Sequence, residues 1–360
     1  MDNSIVKHPG EILYSEISEL GMKQKELAIR TGVSEKHISM IINGTKSISN
    51  SFARKLDIAL NSENGTWAKK QADYDEYTSM LEERNHITET ELSILKSLKD
   101  VVEYLLKTGI MRNHCGESEK ILQLRKILCV NNLSVIPQIS YNAAYRAQIT
   151  KTTKNIDPYI LFAWQRICEI HAENIIINHP FNPKKLLKST PEIKSKMFID
   201  DPNCMIRELK LIFAKCGIAF EVVHHFRGAP VQGFIKRTIN EKVILCLTIR
   251  GKRADKFWFS LFHEIGHLLN GDLNNRFIDF DSVKSEIEEN ADAFARDALI
   301  DPKLYKEFIL SGDYHNLDKI NSFSLSAGVQ PWITIGRLHN DEWLDWDIYA
   351  NIAPSYQWAD

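Results

Sequence analysis

Residues 263 to 267 read His-Glu-Ile-Gly-His, an H-E-x-x-H pattern. Residues four apart on a helix lie roughly 40° apart around its axis, so both imidazoles share one face. Two such rings can hold one tetrahedral metal ion, and Glu264, adjacent to the first ligand, is placed to act as base on a water. The surrounding stretch, DKFWFSLFHEIGHLLNGD from Asp255 to Asp272, reads as one helix. Asp255 is expected to cap its start, and Asn270-Gly271 supplies the residue types that end helices. Phe257, Trp258, Phe259, Leu261, Phe262, Ile265, Leu268 and Leu269 make it apolar almost all round, as a buried helix is. Unpartnered polar groups inside such a helix are costly, which weighs against a chance match on an ordinary core helix.

A third ligand is expected downstream. The segment SEIEENADAFA, residues 285–295, is helical in pattern, with Ile287, Ala291, Phe294, Ala295 and Ala298 on its inner side. Glu288 and Asp292 lie one turn apart on one face. Glu288 can complete a His, His, Glu set that leaves the fourth position to water, with zinc as the expected metal and manganese as the alternative. Asp292 can then accept the N–H of a ligand histidine, His263 in the first instance. Glu286 and Glu289 are the rival ligands, and the plain alternative makes all three glutamates solvated helix charges. A closed, structural zinc site would need a fourth protein ligand, and none stands at recognisable spacing.

These residues sit in a chain of 360, with 44% apolar and 26% charged residues, enough for two or three domains and a sizeable core. The formal net charge of −2 excludes an overall basic character, so any nucleic-acid contact must be local. No apolar run approaches the length of a bilayer span, and the start MDNSIVKHPGE does not read as a signal peptide. Cys115, Cys129, Cys168, Cys204, Cys216 and Cys246 are scattered without a C-x-x-C pair. They read as reduced, mostly buried thiols of a cytoplasmic protein.

Residues 8–60 pattern as short helices. Pro9-Gly10-Glu11 opens one with Ile12, Leu13, Ile17 and Leu20 at helical spacing, and a second carries Leu27, Ala28 and Ile29. Thr31-Gly32-Val33-Ser34 is a tight turn, with Gly32 free to take positive φ and Ser34 capping the next helix. That helix, Glu35 to Asn43, turns Ile38, Ile41 and Ile42 inward, and Ser51 to Leu60 makes another. Helix, glycine turn, helix is the helix-turn-helix plan, in which the second helix enters the major groove. QKELAIRTGVSEKHISMIINGTKSIS resembles phage-repressor-like helix-turn-helix domains, and with HPGEIL before it, the HigA-type antitoxin branch. The resemblance implies base contacts from Lys36, His37 and Ser39, and phosphate contacts from Gln24, Asn43 and Lys46. Glu35 departs from a simple basic reader, and a protein-docking bundle is the alternative. Residues 1–70 hold ten Lys+Arg against eight Asp+Glu, a charge of +2, so one copy binds phosphates weakly and a homodimer on two half-sites is expected.

Residues 67–91 turn polar and acidic, as a hinge or exposed helix would. Thr88-Glu89-Thr90-Glu91 reads as a capping box opening a helix to about Lys107, with Leu95, Leu98, Val102 and Leu105 as an apolar seam fit for a dimer contact or a packed bundle helix. His114 and Cys115, in the glycine loop RNHCGES, read as loop residues. Pro180, Pro183 and Pro191 punctuate a mostly helical stretch from 118 to 215. Runs at 219–223, 231–237 and 243–249 read as a small antiparallel sheet whose edge beside the H-E-x-x-H helix could take an extended peptide.

VQGFIKR, VILCLTIRGKRADKFWFSLFHEIGHLLNGD, EENADAFARDALIDP and SAGVQPWITIGRLHND, in this order, resemble the ImmA/IrrE metallopeptidases. The resemblance implies gluzincin-type chemistry, with His263, His267 and Glu288 as ligands and Glu264 as base. Asn290 stands where Glu is common in that family, and Asp292 where Asn is common. An oxyanion donor is also required, and Arg337, His339, Tyr305, His224 and His225 are the candidates. The expected fold is mainly α with a small sheet, an α+β chain. It divides into a helix-turn-helix domain at 1–66, a helical connector at 67–117, a helical subdomain at 118–204 and the peptidase-like domain at 205–360. The expected function is a DNA-binding regulator with a zinc endopeptidase that cleaves a repressor or toxin-type partner. The alternative is a HigA-like antitoxin or repressor that senses or docks its partner without cutting it.

Overall fold

A computed structural model describes residues 6–113, 116–142, 146–149, 156–229, 231–238, 241–248, 252–272 and 286–356; His114 and Cys115 lie outside them. The chain divides into two compact units, Met1–Glu89 and Thr90–Asp360. The first holds α1 (Pro9–Glu19), α2 (Gln24–Thr31), α3 (Glu35–Ile42), α4 (Asn50–Ala59) and α5 (Thr66–Asn85). Gly32 takes φ +65° after α2, and Ser34 Oγ accepts the His37 N–H at 3.2 Å to start α3. Leu13, Ile17, Leu27, Ile38, Ile41, Phe52 and Leu56 fill one core with Trp67. Leu20 and Ile29 are 57% and 74% exposed, because α1 ends one residue before Leu20 and Ile29 points off the packed face of α2. At Gly10 an added Cβ would lie 2.0 Å from the Ile41 carbonyl oxygen, so α1 and α3 touch backbone to backbone there. Of the two readings of the polar stretch after residue 66, the exposed helix describes α5, which is packed at its start and exposed toward its end. Trp67 and Gln71 are buried, and the buried Asp57 carboxylate accepts the Gly65 and Trp67 N–H groups at 2.8 and 3.1 Å, locking α5 onto α4.

The second unit opens with α6 (Glu89–Ser97), α7 (Lys99–Lys107), α8 (Glu117–Leu128) and α9 (Ile136–Asn142). The single helix expected here breaks at Leu98, and Leu95, Leu98, Val102 and Leu105 are buried in the unit's own interior. Glu91 is fully buried and bonds the Arg125 guanidinium at 2.9 and 2.6 Å. The chain continues through β1 (Arg146–Ile149), α10 (Pro158–Glu173), α11 (Pro183–Ser195), α12 (Pro202–Lys215), β2 (Ile218–Val222), β3 (Val231–Arg237) and β4 (Val243–Leu247). Pro191 lies inside α11 rather than ending it. The last helices are α13 (Ala254–Asn270), α14 (Glu286–Leu299), α15 (Pro302–Ser311), α16 (Leu317–Ser326) and α17 (Pro331–Asn340).

The sheet is mixed, which corrects the antiparallel expectation, and it has a fourth strand, β1. Its order is β1-β3-β4-β2; β3 pairs antiparallel with β1 and β4, while β2 runs parallel to β4. The cause is visible in β4, VILCL, which is buried along its whole length. An uninterrupted apolar strand takes a central place with both faces covered. The chain leaving β2 therefore passes to β3 first and returns between them as β4. One sheet face, with Ile218, Phe220, Ile235, Leu245 and Leu247, packs into the core shared with α12 and α13. On the other, Trp164 of α10 meets Phe234 edge-on and Glu169 pairs with Lys236. That core also takes in Leu186 and Ile193 of α11, so no boundary falls at residue 204. Cys168, Cys216 and Cys246 are buried, Cys129 is exposed, and all are free thiols, as is Cys204.

Candidate metal centre and nucleic-acid interface

α13 begins at Ala254 with Arg253 before it, and Asp255 does not cap it. The Asp255 carboxylate instead takes the Arg253 guanidinium in a fork at 3.0 and 2.7 Å. Gly271, at φ +79°, ends the helix as expected. α14 crosses α13 where Gly266 meets Ala291; a Cβ on Gly266 would stand 3.1 Å from the Ala291 Cα, so this glycine permits the close approach. The crossing brings Glu288 and Asp292 onto the histidines.

The Nε2 atoms of His263 and His267 are 2.9 Å apart, and Glu288 Oε2 lies 3.1 and 3.4 Å from them. Tetrahedral zinc with bonds of about 2.0–2.1 Å separates its ligands by about 3.3 Å, so the triangle has the right size. Asp292 Oδ1 faces His263 Nδ1 at 2.7 Å, and Asp272 Oδ2 faces His267 Nδ1 at 2.9 Å. With each Nδ1–H given to a carboxylate, both Nε2 atoms present lone pairs to one point, an arrangement that calls for a positive charge between them. Glu286 and Glu289, the rival ligands, are exposed on α14. The donor set fits zinc.

Electrostatics agree. Burial would depress His263, but hydrogen bonds to Asp292 and Glu288 and the charge of Glu264 outweigh it and push its pKa up to about 9. His267 is raised against the same burial by Glu288 and Glu264. Burial would raise Glu288, yet its hydrogen bonds to both imidazoles hold it well below the usual carboxylate range. Each shift favours positive charge at the rings and negative charge around them. Glu264 is itself buried, and its carboxylate lies against β3, where a Cβ on Gly233 would be 2.1 Å from Oε1. Gly233 thus makes room for the Glu264 carboxylate. The outer edge of β3 is paired to β1, so the open edge on that side of the sheet belongs to β1.

Asp272 and Gly233 were not singled out from the sequence. A glycine inside a β-branched run is a signal of close approach, and Asp272 follows the helix-ending glycine in the quoted stretch. Of the candidate oxyanion donors, Arg337, His339 and His224 meet other groups. Arg337 Nη1 donates to the Arg296 and Ile300 carbonyls at 3.1 and 3.0 Å, with its guanidinium over the Tyr305 ring. His339 Nε2 lies 2.8 Å from the Ile348 carbonyl, and His224 stacks on Tyr104.

In the first unit, α3 presents Lys36 exposed and His37 and Ser39 half-buried, above the fully buried Ile38 and Ile41. Lys46 Nζ approaches His37 Nδ1 at 3.2 Å, and Asn43 Nδ2 donates to Ser39 Oγ at 3.3 Å. Base-facing and phosphate-facing candidates therefore share one surface. Gln24 stands half-buried at the start of α2. The His37 ring meets Phe52 edge-on at 5.0 Å, and its pKa is lowered by burial, then by Lys46 and Lys55. Lys55 is a basic neighbour on α4 that the sequence reading did not include.

Among the described residues, no helix is long and apolar enough to cross a membrane. A search of curated proteins finds no match to this chain. Residues 16–63 match the helix-turn-helix family model, and the protein is a DNA-binding regulator through that domain.

Proposed function

We propose that the second unit is a zinc-dependent endopeptidase of the type the ImmA/IrrE resemblance implies, acting on a repressor or toxin-type partner protein of this regulator. The observation that supports it best is the triangle of His263 Nε2, His267 Nε2 and Glu288 Oε2, backed at both Nδ1 atoms by Asp292 and Asp272. Zinc at this trio, when bound, supplies Lewis-acid activation of a water and of the substrate carbonyl. Glu264 takes the water proton and passes it to the leaving amine. Asp292 and Asp272 fix the imidazole tautomers, and Gly233 leaves the base the space it occupies. The intact Glu264 favours cutting over docking, because a docking surface has no use for a buried carboxylate beside two histidines. On the DNA side, a homodimer on two half-sites compensates for the small charge of each reader.

The test uses purified full-length protein and its Glu264→Gln form. Metal analysis is expected to find about one zinc per chain in both. Glu264→Gln is expected to hold an intact partner protein that the parent releases as fragments. Equal retention of the uncut partner by both forms would replace the peptidase with a docking role.

A further inference from the structure

A cavity of about 230 Å³ lies at the first turns of α13 and the C-terminal half of α14, lined also by α17 and Trp346. Its lining includes the apolar Phe259, Leu299, Ile300 and Ile333. Its charges are unbalanced. Asp255, its acidic lining residue, is already forked onto Arg253 at 3.0 and 2.7 Å. Arg337 is spent on two backbone carbonyls and on Asp341 Oδ2 at 3.5 Å. Lys256 and Arg296 also line it, and neither side chain has an ion pair or hydrogen bond among the described residues. Arg296 is half-buried, where an uncompensated cation is unfavourable.

Two further features point to a ligand. Gly336 sits inside α17, where glycine disfavours a helix relative to alanine. No close packing requires it, since an added Cβ would come no nearer than 3.7 Å to Asp255 Oδ2 and would enter the cavity instead. Trp346 is 69% exposed at the same cavity, offering a large apolar face to whatever fills it.

We propose that this cavity binds a small aromatic carboxylate. Its ring lies among Phe259, Ile333 and Trp346 above Gly336, and its carboxylate meets Lys256 and Arg296. The site uses none of the metal ligands and stands whether or not the second unit cleaves peptides.

Calorimetric titration of the full-length protein with 1-naphthoate tests it, with 1-naphthylmethylammonium as the cation of matching shape. Saturable one-to-one binding of the anion is expected, at least about tenfold tighter than the cation. Arg296→Gln with Lys256→Gln is expected to weaken it about tenfold or more, and Gly336→Leu to abolish it. Trp346→Ala, at an exposed position, is expected to weaken binding and serves if Gly336→Leu lowers the melting temperature. Absence of saturable binding, equal affinity for anion and cation, or full affinity in Trp346→Ala and the double-glutamine form overturns the proposal.

Discussion

In the first unit His37, Asn43 and Lys46 stand at the surface above Ile38 and Ile41, which carry the packing. In the second, His263, Glu264 and His267 are themselves core residues, each at most 2% exposed. The reader is thus assembled by local turns on a small core, with the candidate DNA contacts and the packing on different side chains. In the candidate metal centre the proposed ligands and the packing fall on the same side chains. Four carboxylates, Glu264, Asp272, Glu288 and Asp292, converge on two buried imidazoles and leave the site short of positive charge. Filling that site should stabilise the second unit and leave the first untouched.

The largest expected effect comes from breaking the centre. His267→Ala removes one corner of the triangle, and metal analysis should fall from about one zinc per chain to background, with DNA binding unchanged. Zinc bound equally by this variant and the parent would remove the site. The converse break is Gly10→Ala. Its Cβ would meet the Ile41 carbonyl, and forcing α1 off α3 should cost the first unit about 3 kcal/mol. Calorimetry should show that unit melting earlier while zinc content holds; a parallel drop in zinc would mean that the units are not separable.

Asp272→Asn sharpens the comparison. The amide is a poorer acceptor for the His267 Nδ1–H, and zinc affinity measured by chelator competition should weaken by roughly 10–100-fold. Affinity within twofold of the parent would make Asp272 a helix-end residue only. The smallest effect is expected from Lys46→Ala. The slope of log affinity against log salt should shrink by about one, for specific and random DNA alike. Lys46 also helps to hold the His37 pKa below its ordinary value, so its removal should raise that pKa toward 6.5 in an NMR titration. A falling or unmoved value would show that the two side chains do not meet in solution.

The helix-turn-helix and the H-E-x-x-H helix were legible because their signals are short-range: Gly32 and Ser34 at a turn, two histidines four residues apart. Glu288 and Asp292 were also legible, through one helical turn of spacing on a second amphipathic segment. The reading was poorest where a segment's character depends on what it packs against. α5 reads equally as a hinge or an exposed helix because its packed residues, Trp67 and Gln71, are few; the buried Asp57 anchoring its start lies ten residues before Trp67. The seam of Leu95, Leu98, Val102 and Leu105 suited a dimer contact equally well, since an apolar stripe does not state whose surface covers it.

By itself, then, the sequence determined the helical reader, the positions of three candidate metal ligands and of a candidate base, and the presence of a small sheet. Those follow from backbone periodicity and from chemistry that needs particular side chains at set intervals. The tertiary structure alone decided the parallel pairing of β2 with β4, the approach of α14 at Gly266, the space for Glu264 over Gly233, and the second carboxylate, Asp272, behind His267. It also decided which cations at the cavity beside α17 have no ion pair among the described residues. Contacts between residues distant along the chain depend on how helices and strands close over a common core, and no local pattern encodes that closure.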